Sequence, residues 1–420
     1  MTTRREFMQR TAVALGGSLT AHEGAGAAPN PAQDLPRQPR EAQPPKETGS
    51  HVGSLFPFIQ SQAPRDFSLS FLRDEFKDLA AWKRQARGKL LELLHYAPPA
   101  CKPDPQVVEK VDRGDYVQEK VYFNTTPNLR VPAYVLIPKK AKRPAPAVVA
   151  LHDHGGFYLW GKEKLVESPD EHPSLADFKK TYYGGTSIAS LLARRGYVVL
   201  VIDMFYWGER RLLLDDDPAD WRERLKTLSV ERVSAFNARA SANEDLVGRT
   251  ILSAGFTWAG VMYWDDIRTV DYLVSRSEVD AKRIGCVGLS MGGLRACHLA
   301  ALDDRIRAAV VVGWMASFPY QLRRHVRSTI GHTKLVPGLY RYLDYPDVAS
   351  LAMPAALLVI NGRKDGLFEP DGVTVCFAKL ASCYRKAAVP EKLSTRLYDT
   401  PHEFNAAMQQ AAWAWLEKWM

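Results

Sequence analysis

Six short apolar runs recur along the chain at 146–151, 197–203, 283–288, 307–313, 354–360 and 394–398, each separated from the next by turn residues and helical spacing. Runs of this length bounded by turns predict strands buried on both faces. Their alternation with helical stretches predicts an α/β fold built on a doubly wound, mostly parallel sheet with helices on both faces and right-handed crossovers. Between Val107 and Ile137 the pattern changes to alternation, with Tyr116, Val121, Tyr122 and Phe123 before Pro127-Asn128 and Val131 to Leu136 after it. That predicts antiparallel strands at the N-terminal edge of the sheet. In Asp66 to Tyr96, the apolar positions Phe71-Leu72, Phe76, Leu79, Trp82, Leu90-Leu91 and Leu94 recur every three or four residues, and Pro98, Pro99 and Pro103 follow. We read a helix there, and another from Trp258 to Leu273 leading into the 283–288 strand. The interval between Asp203 and Arg283 exceeds one crossover. Its surplus, about residues 212–255, is expected to form a cap insertion.

Composition changes the picture mainly at the N-terminus. Residues 28–65 are rich in Pro, Gln, Ala and charge without apolar periodicity, and read as a flexible linker. Residues 1–27 read as an address. Arg4-Arg5 resembles a twin-arginine export motif, Thr11 to Leu19 is a short apolar segment, and Ala25-Gly26-Ala27 fits a cleavage site. The apolar segment is too short and Gly-rich to anchor in a membrane, so a periplasmic or secreted protein is expected. The expected organisation is then a signal peptide at 1–27, a linker at 28–65, a helical segment at 66–105 and a catalytic domain at 106–420.

Over the whole chain, 46% hydrophobic and 25% charged residues are ordinary for a globular protein. The net charge of +9 is scattered over small groups such as Lys139-Lys140 and Lys142-Arg143. No basic helix or aromatic stripe accompanies them, which argues against a nucleic-acid partner. Cys101, Cys286, Cys297, Cys376 and Cys383 lack CxxC spacing and are odd in number, so neither a zinc site nor a disulfide framework is expected.

The chemistry concentrates at the ends of the predicted strands. Gly288-Leu289-Ser290-Met291-Gly292 joins a strand to an Ala- and Leu-rich helix, a sequence that lifts a serine Oγ out of the sheet on a tight turn. Asp365 follows the 354–360 strand, and His402 follows the 394–398 strand. His152-Asp153-His154-Gly155-Gly156 directly follows the 146–151 strand. The order Ser, Asp, His, each at a strand's carboxyl end, matches a nucleophile, an orienting acid and a general base.

With these residues in hand, the chain from about Val131 onward resembles the α/β-hydrolases, and within them the dienelactone-hydrolase-like and acetyl-xylan-esterase-like serine esterases. The HDHGG loop, Asp203 to Arg210, GLSMGG, Asp365 and His402 carry the likeness. Dienelactone hydrolase itself uses a cysteine where this chain has Ser290, which argues against that particular activity. The resemblance implies a triad of Ser290, His402 and Asp365 acting through an acyl-enzyme, with no cofactor or metal. It also implies an oxyanion hole of the Met291 N–H and the Asp153 N–H, with Gly155 or Gly156 as alternatives. The expected substrate is a small-molecule or carbohydrate ester. Two rival readings remain. A serine peptidase of prolyl-oligopeptidase type uses the same triad, but too few residues precede the hydrolase region for that family's propeller. A non-catalytic hydrolase-fold binding protein usually lacks a triad member.

Other polar residues are expected to be structural. Asp399 reads as a loop hydrogen-bonding residue, Asp303 and Asp304 as solvated turn residues, and His298 as a packed core histidine. His152 and His154 lack a third metal ligand at recognisable spacing. Glu209-Arg210 reads either as an ion pair within its loop or as a substrate-positioning pair. Trp207, Trp221, Trp258, Trp264 and Trp314 fit either a sugar-stacking cleft or the core.

Overall fold

The structure is a computed structural model in which residues 55–64, 66–223, 227–322 and 329–420 are described. The expected signal peptide and most of the expected linker lie outside the described residues. Helix α1 (Leu55–Gln62) falls at the end of the stretch expected to be linker. Helix α2 (Leu79–Leu94) is shorter than expected. It starts where the Asp78 side chain accepts the Ala81 N–H at 2.6 Å, an N-cap that satisfies an otherwise unpaired first-turn donor. Residues 66–78 lie outside any helix, yet Phe71 is buried and packs on Trp82 with ring centroids 4.7 Å apart. The helical spacing there was a tertiary contact repeating by chance.

The remaining elements follow in chain order. They are β1 (Gln106–Asp112), β2 (Tyr116–Thr126), β3 (Leu129–Pro138), β4 (Ala145–Leu151), α3 (Pro173–Tyr183), α4 (Ile188–Arg194) and β5 (Val198–Ile202). Next come α5 (Asp220–Glu223), α6 (Val230–Ser253), α7 (Trp258–Val274), β6 (Val279–Leu289), α8 (Met291–Leu302), β7 (Ile306–Val312) and α9 (Phe318–Gln321). The chain closes with α10 (Tyr345–Ser350), β8 (Ala356–Gly362), α11 (Pro370–Lys386), β9 (Leu393–Tyr398) and α12 (Ala406–Trp419).

The nine strands form one sheet in the order β1-β2-β3-β5-β4-β6-β7-β8-β9. Pairs β1–β2, β2–β3 and β3–β5 are antiparallel, and the rest are parallel. The antiparallel edge therefore holds one strand more than the expected pair. Strand β1 is almost wholly exposed, so it has no alternation to read. At the centre, Val149 of β4 pairs with Leu200 of β5 and with Cys286 of β6. The chain runs from β4 outward to β5, then crosses back past β4 to β6. A crevice opens at the carboxyl ends of strands where the winding reverses in this way. His152 and Ser290 directly follow β4 and β6 there.

Alternate residues of the central strands feed two apolar layers. Val149, Cys286 and Val311 belong to one, and Val148, Val287 and Val310 to the other. All five cysteines are free, and every one but Cys101 is buried. Among the described residues no helix is long and apolar enough to cross a membrane.

Candidate active site

Ser290 sits between β6 and α8 with φ 59° and ψ −119°, a backbone region that costs a non-glycine residue about 1–3 kcal/mol. Surrounding bonds hold it there. Its N–H donates to the Val312 carbonyl at 2.8 Å, and its carbonyl accepts the Leu294 N–H at 2.9 Å. Close packing accounts for the flanking glycine: a Cβ on Gly292 would strike the Leu151 carbonyl of β4. The elbow is thus wedged between β4 and β7.

Asp365 and His402 come from neighbouring loops joined by backbone bonds. Arg363 donates to the Tyr398 carbonyl at 2.7 Å and Lys364 to that of Thr400 at 3.0 Å. The structure brings the two side chains together, with His402 Nδ1 2.6 Å from Asp365 Oδ2. The other carboxylate oxygen accepts the Leu367 N–H at 3.0 Å. The imidazole lies over Gly313, the residue after β7. A Cβ on Gly313 would stand 3.0 Å from His402 Cε1 and 3.2 Å from Leu289 Cδ1, and its φ of 60° favours glycine, so the ring packs closely against backbone beside the elbow. Burial works to lower the His402 pKa, but the charge and hydrogen bond of Asp365 outweigh it, and the net shift is upward. Asp399 faces elsewhere, with Oδ2 2.8 Å from Lys364 Nζ.

The loop after β4 lies across the front of this group. His152 Nδ1 is 2.9 Å from the Asp153 carbonyl, and its Nε2 accepts the Met204 N–H at 3.0 Å. His154 Nδ1 accepts the Gly156 N–H at 3.0 Å, and its Nε2 is 2.5 Å from Glu244 Oε1. Both rings are engaged at both nitrogens by protein partners, consistent with a structural role. The Gly156 N–H is therefore spent within its own loop, which removes it from the expected alternatives for the oxyanion donor. Gly155, at φ 58°, could not carry a side chain, because a Cβ there would enter the Phe178 ring. The Met291 N–H opens α8 beside the serine. Asp153 is buried, its Oδ1 accepting the Tyr183 hydroxyl at 2.6 Å.

Helix α6 lies within the stretch expected as an insertion and reaches the loop after β4. Glu244 accepts from His154 and from the Tyr158 hydroxyl at 2.8 Å, while Asn237 Oδ1 accepts the Tyr158 N–H at 2.8 Å. Burial would raise the Glu244 pKa, but His154 and Tyr158 hold it down to about 2. Sequence reading missed Glu244 because it is one of several charges on a largely polar helix. It also missed Lys164 and Arg295, both fully buried beside the site. No local pattern marks either.

Glu209 and Arg210 pair outward rather than with each other, Glu209 with Lys162 at 2.6 Å and Arg210 with Asp265 at 2.8 Å. The carboxylates of Glu163, Asp203 and Glu209 cluster, but Lys162 Nζ stands 2.9, 2.8 and 2.6 Å from them and supplies the cation. Trp207, Trp221, Trp258 and Trp314 are buried, which selects core packing over a stacking cleft for these four. Trp264 is partly buried and donates to the Thr125 carbonyl at 2.7 Å. Asp303 is buried against Arg305 rather than solvated, and Asp304 pairs with Lys83 and Arg87.

Comparison with known proteins agrees with this geometry. The Abhydrolase family model matches residues 56–219, and the Dienelactone hydrolase family model matches residues 183–330. The chain has an α/β-hydrolase fold. It is 27% identical over 338 residues to YtaP of Bacillus subtilis (strain 168), a protein named provisionally as a hydrolase. That match covers 80% of this chain and 100% of YtaP. Among solved structures, the chain is similar to a Bacteroides fragilis NCTC 9343 protein provisionally called an acetyl xylan esterase. The TM-score is 0.58 at 17% identity, over 82% of this chain and 80% of that one. It is also similar to a glucuronoyl esterase from Solibacter usitatus, with a TM-score of 0.58 at 14% identity, over 85% and 99% of the two chains.

Proposed function

We propose that this hydrolase is an exported serine esterase that cleaves carboxylic esters, acetyl esters of polysaccharides above all, through an acyl-enzyme. The observation that carries the reading is the 2.6 Å contact between His402 and Asp365 over Gly313, beside a serine in strained backbone. A serine hydroxyl is a poor nucleophile at neutral pH. His402, neutral and oriented by Asp365 at Nδ1, takes the Ser290 proton through Nε2 as Oγ attacks the ester carbonyl. The resulting imidazolium is stabilised by the Asp365 carboxylate and returns its proton to the departing alcohol. Water then enters, loses a proton to His402, and releases the acid from Ser290.

The tetrahedral oxyanion is held by the Met291 N–H and by an N–H of the 153–155 stretch. Each such donor contributes about 10²–10³ in rate. The sugar-ester substrate is supported by the titles of two proteins that share this fold, an acetyl xylan esterase and a glucuronoyl esterase. Export is supported by the Arg4-Arg5 motif and the apolar segment behind it. A fluorophosphonate probe tests the reading directly, and the expected result is one label, on Ser290. Turnover of p-nitrophenyl acetate with no cleavage of a peptide anilide, and acetate release from acetylated xylan, complete the test. Labelling elsewhere, or preferential anilide cleavage, sinks the proposal.

A further inference from the structure

Lys164 is fully buried beneath the loop after β4, and the proposed reaction makes no use of its charge. Burying an ammonium costs several kcal/mol unless it is well paired, and an apolar side chain of similar length is often the more stable choice. What Lys164 touches suggests why the cost is borne. Its Nζ lies 3.0 Å from the Asp153 carbonyl, 3.2 Å from the His154 carbonyl and 3.5 Å from the Asp153 carboxylate. The neighbouring donors act on the same run of backbone. Arg295 Nη1 is 3.4 Å from the His152 carbonyl, His152 Nδ1 is 2.9 Å from that of Asp153, and Trp207 Nε1 is 3.2 Å from that of His154.

Three successive carbonyls are therefore drawn towards buried donors. In a trans peptide the C=O of one residue and the N–H of the next point in opposite directions. Holding the carbonyls of His152, Asp153 and His154 inward turns the N–H groups of Asp153, His154 and Gly155 the other way. Successive N–H groups aligned like this make an anion-binding concavity. The loop abuts the elbow, since a Cβ on Gly292 would stand 3.2 Å from the His152 carbonyl carbon. Arg295 is itself fixed by a buried bidentate pair with Asp266, at 3.0 and 2.6 Å.

We propose that Lys164 is the positioning residue of the oxyanion hole: by gripping two consecutive carbonyls from behind, it aims the N–H groups that receive the developing negative charge. The inference rests on the serine-esterase reading above. Lys164 acts through the backbone and touches no substrate, so its effect belongs to the transition state rather than to substrate binding.

The test compares wild type with Lys164→Met on p-nitrophenyl acetate, alongside inhibition by phenylboronic acid, which forms a tetrahedral anionic adduct on a nucleophilic serine. The expected result is a fall in kcat of at least fivefold with KM within threefold of wild type. The boronate inhibition constant should rise by a factor matching the fall in kcat. A smaller fall in kcat, or a fall without loss of boronate affinity, overturns the role. Should Lys164→Met fail to fold, Trp207→Phe removes one donor to the His154 carbonyl and keeps an aromatic ring. It is read by the same two measurements, with the same joint loss expected. Failure of the underlying reading is separately visible, because wild type would then show no fluorophosphonate label on Ser290.

Discussion

At the scale of single residues, the proposed triad makes divergent predictions for two nearby acids. Asp365→Asn leaves His402 present but favours the wrong tautomer, and turnover should fall on the order of 10⁴. Asp399→Asn removes only an exposed ion pair with Lys364 and should cost less than threefold. Measuring both on one activated ester decides between them, and a larger loss at Asp399 would reassign the acid. The pH profile tests the same pair. His402 is raised above its usual 6.5, and it must be neutral to accept the Ser290 proton. Activity should therefore climb as pH rises through the shifted value, with the acid limb of kcat/KM lying above pH 6.5. In Asp365→Asn the raising charge is gone while burial remains, so the limb of the residual activity should move down. Ser290, Asp365 and His402 could be picked out of the sequence because each sits in a turn just past a run of apolar residues. Lys164 could not, since a lysine closing the charged run Lys162-Glu163-Lys164 reads as surface. Only the three-dimensional path of the loop shows which carbonyls it meets.

At the scale of elements, legibility follows burial. The central parallel strands were readable to within a few residues because both faces are covered, as in Ala356–Gly362 against an expected 354–360. Strand β1 was lost because an exposed edge needs no apolar pattern, and α2 was overextended because Phe71 reaches the core from outside the helix. The insertion could be placed by its length, but its 24-residue helix α6 could not be foreseen. Its link to the loop after β4 is electrostatic. The Glu244 carboxyl, held down to about 2, stabilises the folded state fully above the unfolded value near 4.5 and loses that contribution as pH falls towards 2. Thermal melts of wild type and Glu244→Gln should differ most at pH 6–7, with the variant less stable, and converge as pH drops below 4. A gap that stays constant across that range would mean that charge on Glu244 is not what ties the cap to the loop.

For the molecule as a whole, the prediction concerns its route. Replacing Arg4 and Arg5 by Lys should hold the precursor in the cytoplasm, as judged by cell fractionation. Unchanged export would point to another pathway or to none. Twin-arginine substrates cross the membrane already folded, and the thiols give that order of events a consequence. Burial pushes the Cys297 and Cys383 thiols up to about 12 and raises those of Cys286 and Cys376 as well, so all four are poor in thiolate. A chain threaded through unfolded would present five sulfhydryls to oxidising surroundings before the sheet could close over them, and mispaired or sulfenylated products would compete with folding. A chain delivered folded would expose Cys101 alone. In the native protein iodoacetamide should accordingly modify Cys101 and spare the other four, whereas denaturant should open all five to alkylation. If it is exported folded, the protein would meet an oxidising compartment with its vulnerable chemistry already out of reach.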